Sequence, residues 1–230
     1  MADAPDLGSG VYDVGVQVPS SAPKSYNVRK DVVAFFVTLI HAKLDFFIRG
    51  LYNFMYAGKD GNMKKTLIVV DMQNDFIDMA LGTKEAVAIV PRVKAKIEAY
   101  RKNGDIIIYT RDSHGADYLD SPEGKKLPVL HCVKGTKGWE IADGLYIDGC
   151  KVIDKPNFGW PNWQDETFEA VELVGLCTDI CVVSNALILK AVFPDIQVSV
   201  DATCCAGVSP ESHKAALVTM KMCQIDVIGE

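Results

Sequence analysis

The chain has 230 residues, 49% of them hydrophobic and 23% charged, a globular balance that excludes general disorder, collagen-like repeats and coiled-coil rods. Its formal charge of −6 leaves no basic footprint for nucleic acid. This length holds one full domain plus a remainder, and it can bury a sizeable core without staples. The seven cysteines are an odd count, all between Cys132 and Cys223, with Cys204 and Cys205 adjacent. That is no secreted disulfide framework, and it points to a reducing, cytoplasmic setting. The opening MADAPDLGSG lacks the basic start and apolar run of a signal peptide.

Composition changes near residue 62. Residues 1–30 are rich in Gly, Pro, Ser and Asp and read as a loose arm, whereas 31–57 are strongly apolar and aromatic. A hydrophilic joint, Gly58 to Asn62, follows, and Met63-Lys64-Lys65 opens a new style of sequence. We therefore divide the chain into an appended segment, 1–62, and an enzyme-sized domain, 63–230. Within 31–57, the polar residues His41, Asp45, Arg49 and Asn53 recur every four positions and form one narrow stripe on an apolar helix. Its charges argue against a membrane span. The apolar surface must be covered by the main domain, by a second copy of the chain or by a membrane interface. Homo-oligomerisation through 1–62 is the expectation carried forward.

From residue 63 onward, short β-branched runs alternate with helical patterns. Strands are expected at 67–70, 106–109, 152–153, 171–174, 196–200 and 225–228, and helices at roughly 84–103, 179–192 and 209–222. Gly104 closes the first helix, and Ser209-Pro210-Glu211 starts the last. Strands that are apolar on both faces and alternate with helices specify a three-layer α/β sandwich with a six-stranded, mainly parallel sheet. Function in such sheets collects beyond the carboxyl ends of the strands.

Three reactive side chains fall at such ends. The first strand runs into Asp71 (LIVVDMQNDF), the third into Lys155 (KVIDKPNFGW), and the fourth is followed by GLCTDICV with Cys181 in the first turn of a helix. A helix start and a neighbouring ammonium both favour a thiolate, and a carboxylate can take or return its proton. Taken singly, each residue has a plain structural role as a turn aspartate, a solvated lysine or a small core cysteine. The force lies in their joint occurrence at one sheet edge.

DMQNDF, DKPNFG and GLCTDICV together resemble the isochorismatase-like cysteine hydrolases, and nicotinamidases within them. The resemblance covers 63–230 and none of 1–62. It implies a catalytic triad of Asp71, Lys155 and Cys181 and a non-proline cis peptide at Leu176-Cys177. It also implies an oxyanion site formed by the backbone N–H groups of Cys177 and Cys181. Cys204 and Cys205, and the side chain of Cys177, are read as structural.

The family's amidases hold a divalent metal. Asp112 and His114 (YTRDSH) follow the second strand, and His131 (LPVLHCV) returns from a loop that also carries Asp117, Asp120 and Glu123. By resemblance the ligands are Asp112, His114 and His131 with Glu123 as the fourth, or Asp120 in its place. Such a set suits zinc, iron or manganese. In one respect the sequence departs from nicotinamidases, since 127–130 is LPVL where those enzymes commonly place a tryptophan against the pyridine ring. Phe76 matches the other ring-contacting position, and Trp160 or Trp163 is available to close the pocket.

The implied activity is hydrolysis of a small carboxamide, nicotinamide or another small amide or imide, through a thioester on Cys181. The rival is a hydrolase fold used as a carrier or assembly scaffold, with 1–62 as its interaction or targeting segment.

Overall fold

A computed structural model describes residues 64–230. The segment 1–62, its apolar stretch 31–57 and the association expected of it lie outside the described residues. Strands β1 (Lys65–Val70), β2 (Ile106–Asp112), β3 (Lys151–Lys155), β4 (Ala170–Leu176), β5 (Gln197–Ala206) and β6 (Asp226–Ile228) form one sheet in the order β3-β2-β1-β4-β5-β6. Every neighbouring pair is parallel. The helices are α1 (Asn74–Ile77), α2 (Lys84–Asn103), α3 (Val183–Val192) and α4 (Pro210–Met222), and a π-helical turn at Thr178–Val182 leads into α3.

Successive side chains of a strand point to opposite faces, so each inner strand supplies two cores. Ile68, Val70, Ile108, Leu173, Val198 and Val200 face Ala186 and Leu189 of α3 and Leu217 and Met220 of α4. Leu67, Val69, Ile107 and Tyr109 face Ile89, Val93 and Ile97 of α2 on the other side. The result is the expected three layers. Each buried Leu, Ile or Val contributes about 1.5–3 kcal/mol gross, and Leu173→Ala would remove about 2–5 kcal/mol of stability by leaving a cavity.

Local chemistry sets the helix ends. Thr83 Oγ1 accepts from Ala86 N at 3.0 Å to start α2, and Gly104 ends it in the left-handed region at φ 75°. Ser209 caps α4 through a reciprocal pair of bonds with Ser212, followed by Pro210 in the first turn. β5 runs six residues beyond its expected end at Val200. Its polar, small-residue continuation DATCCA hides a strand whose register against β4 shifts between Leu173 and Gly175.

Strand order reverses between β1 and β4, which opens a crevice beyond their carboxyl ends. Gly175 lets the two strands approach there. It adopts φ 120°, and a Cβ on it would lie 2.1 Å from Val70 O.

Candidate active site

Asp71 follows β1 at φ 47°, Lys155 ends β3 and Cys181 lies in the π-helical turn after β4. The fold brings all three together. Lys155 Nζ lies 2.6 Å from Asp71 Oδ2 and donates to Cys181 Sγ at 3.5 Å and to Asn157 O at 3.2 Å. Thr110 Oγ1 donates to Asp71 Oδ1 at 2.6 Å. Apart from the Lys155 ion pair, Asp71 Oδ2 has no partner among the described residues, so this buried oxygen keeps a lone pair free to accept a proton. Burial raises the Asp71 pKa, against the lowering effect of Lys155. Burial also opposes the charge on Lys155, but the carboxylates of Asp71 and Asp112 outweigh it and hold the ammonium.

Cys181 departs from expectation. It is 4% exposed and belongs to a core cluster. Desolvation, then the Asp71 carboxylate, push its pKa well above the ordinary thiol value, against the lowering effect of Lys155. The resting group is therefore a thiol rather than a preformed thiolate, because burial outweighs the nearby ammonium. The expected first helical turn is also a π-helical one, closed by Val182 N donating to Cys177 O at 3.0 Å. Such turns recur at functional sites. The peptide between Leu176 and Cys177 is cis. Cys177 lines the same cavity as Cys181, and burial pushes its thiol up to about 12.

Asp112, His114, Glu123 and His131 converge beside this triad, with one ligand-type atom from each lying within 4.8 Å of all the others. Asp112 Oδ2 is 2.9 Å from His114 Nε2 and 3.7 Å from His131 Nε2, and His114 Nε2 is 3.9 Å from Glu123 Oε1. His131 Nδ1 donates to Val129 O at 2.8 Å, which leaves Nε2 facing the cluster. Glu123, not Asp120, takes the fourth position. Two observations fit a divalent cation here. Asp112 Oδ1 is buried without a hydrogen-bond partner. Three carboxylates (Asp71, Asp112, Glu123) also share the site with one ammonium, Lys155, an imbalance of two negative charges.

A cavity of about 290 Å³ opens onto both groups. Cys181 and His131 line its reacting end, while Phe76, Leu127, Phe158 and Ile180 line the rest. Phe76 packs against His131 with ring centroids 5.6 Å apart. Trp160 is a correction. It does not line the cavity, because it packs on the core while its N–H donates to Asn185 Oδ1. Trp163 is wholly buried. Phe158 supplies the wall instead.

Several residues that hold the site were missed. Gln73 Oε1 accepts from Asp112 N at 2.7 Å and its Nε2 donates to Asp112 O at 2.9 Å, so β1 fixes the end of β2. Asp75 Oδ2 accepts from Cys132 N at 2.7 Å, anchoring the loop that carries His131. Tyr118 stacks within 4.9 Å of both histidine rings. Gln73 and Asp75 lie inside the DMQNDF motif, which was the available signal. Nothing in the sequence marked Tyr118.

This pairing of a doubly covered parallel sheet with polar and ionisable groups at its switch point defines a three-layer α/β domain with a candidate active site. The Isochorismatase domain matches residues 65–229, and the chain belongs to the isochorismatase family. A relative described as a probable inactive nicotinamidase of Arabidopsis thaliana is 30% identical over 174 residues, 67% of this chain and 87% of that protein. The nicotinamidase/pyrazinamidase of Mycobacterium tuberculosis is 26% identical over 184 residues, 71% of this chain and 98% of its own. Among solved structures, a Pyrococcus horikoshii pyrazinamidase in complex with zinc is 26% identical with a TM-score of 0.63, covering 73% of this chain and 99% of that one. Among the described residues, no helix is long and apolar enough to cross a membrane.

Proposed function

We propose that the protein hydrolyses a small, uncharged carboxamide to the acid and ammonia, with nicotinamide first among the candidates. The observation that carries this reading is the continuous contact from Asp71 through Lys155 to Cys181, ending on the cavity. Asp71 takes the thiol proton as Cys181 Sγ attacks the carbonyl carbon, and it passes that proton to the leaving nitrogen. Lys155 stabilises the sulfur's developing negative charge, and the N–H groups of Cys177 and Cys181 receive the carbonyl oxygen. Ammonia leaves a thioester. Water activated by Asp71 then cleaves it to acid and free thiol.

A divalent metal held by Asp112, His114, Glu123 and His131 would supply electrophilic polarisation at the reacting end of the cavity. Substrate charge follows from the walls. Among the described residues no Lys or Arg lines the cavity, so away from the Asp112–Glu123 cluster its walls offer a charged substituent no partner. The competing scaffold reading gives Asp71, Lys155 and Cys181 no reason to meet.

The test is ammonia release from a panel of small amides, with intact-mass detection of an acyl adduct. The wild type should turn over at least one amide and carry the adduct on the Cys181 peptide. Cys181→Ala should do neither. Adduct on Cys177 instead, or turnover by Cys181→Ala, overturns the assignment.

A further inference from the structure

Asn185 lies on α3 one turn beyond Cys181 and is 0% exposed. A buried amide can accept two hydrogen bonds and donate two, and Asn185 makes all four. Its Oδ1 accepts from Trp160 N at 2.9 Å and from Trp163 Nε1 at 3.0 Å. Its Nδ2 donates to Cys181 O at 2.8 Å and to Phe158 O at 3.2 Å. Two N–H donors at one end and two carbonyls at the other fix the orientation, since a flipped amide would oppose like groups.

These four bonds join two structures that Lys155 Nζ also bridges, through Cys181 Sγ and Asn157 O. One is the turn bearing Cys181. The other is segment 157–163 between β3 and β4, which carries the Phe158 wall of the cavity and, through Asn157 O, holds the Lys155 ammonium. We infer that Asn185 is a positioning residue, fixing the Cys181 turn to the cavity wall so that Sγ stays in contact with Lys155. An Asn→Ser change leaves buried carbonyls and N–H groups without partners, and the turn can then drift from the 3.5 Å contact. This inference rests on Cys181 as the reacting sulfur but not on the identity of the amide.

Iodoacetamide labelling, read cysteine by cysteine by peptide mass spectrometry, tests it without any substrate. Cys177 lines the same cavity and serves as the reference, and buried Cys205 reports general opening. In Asn185→Ser, Cys181 labelling relative to Cys177 should fall about tenfold, the scale of one or two lost hydrogen bonds. Cys205 should stay at its wild-type rate. Trp163→Phe keeps a large ring and removes one donor to Asn185. It should lower the same ratio by a smaller factor, and in turnover it should lower kcat more than it raises KM. Wild-type ratios in both variants, or Cys205 rising in step with Cys181, overturn the inference. If the wild type releases no ammonia from any amide, the functional proposal fails and the labelling ratio still decides the role of Asn185.

Discussion

Lys155 Nζ lies 2.6 Å from Asp71 Oδ2 with neither side chain exposed at all. The Lys155 ammonium favours the ionised carboxylate against burial, and removing either group strands its partner in the core. Breaking such a pair typically costs about 3–5 kcal/mol. Asp71→Asn and Lys155→Met should each lower the unfolding midpoint markedly and reduce kcat by at least about 10², the general acid–base scale. Asp71→Asn/Lys155→Met should recover stability but not turnover. A double variant no more stable than either single would contradict the pairing.

The metal prediction separates occupancy from activity. Elemental analysis of protein purified without chelator should find about one divalent ion per chain, and His114→Ala or His131→Ala should lose most of it. Undiminished metal content in both variants would remove these residues from the ligand set.

Substrate charge gives a third test. Nicotinamide or benzamide should be hydrolysed at least about tenfold more efficiently than succinamate, because the latter's carboxylate would be desolvated against apolar walls that hold no Lys or Arg among the described residues. Equal kcat/KM values would show that the apolar walls around Phe158 and Leu127 do not select.

Acid stability follows from a network away from the site. Lys96 Nζ reaches Asp201 Oδ2 at 2.8 Å and Glu172 Oε1 at 2.6 Å. Burial alone would raise the Asp201 pKa, but the Lys96 and Thr203 hydrogen bonds hold it below its ordinary 3.8. A depressed carboxyl stabilises the fold above its unfolded value and loses that contribution as pH falls through the folded one. The wild type should therefore exceed Asp201→Asn in thermal midpoint at neutral pH, with the gap closing below about pH 4. A pH-independent gap would assign Asp201 a purely packing role.

The sheet was legible because its strands are apolar on both faces and its helices carry plain stops at Gly104 and Ser209. The tail of β5 was not, since DATCCA has neither the run nor the alternation that marks a strand. The reacting side chains stood out because three short motifs place them at strand ends. The state of Cys181 did not, because spacing reveals a nearby cation but not the depth of burial that outweighs it. Trp160 was misplaced for a related reason. An aromatic in a loop beside the site can turn towards the cavity or the core, and the packing of the Trp160 ring on the core cluster settles the choice.

Strand order reverses between β1 and β4, and that reversal divides the chemistry. The half built from β1, β2 and β3 carries the carboxylate, the ammonium and the whole Asp112–His114–Glu123–His131 cluster, while the other half brings the sulfur. The two inventories are separable by point substitution. A chain that lost only its sulfur would keep the cavity and the ligand cluster and become a receptor for the amide it once consumed. Calorimetric titration of Cys181→Ala with the wild type's own substrate would read that latent affinity directly, and no heat at saturating concentration would mean that the sulfur's half also shapes recognition.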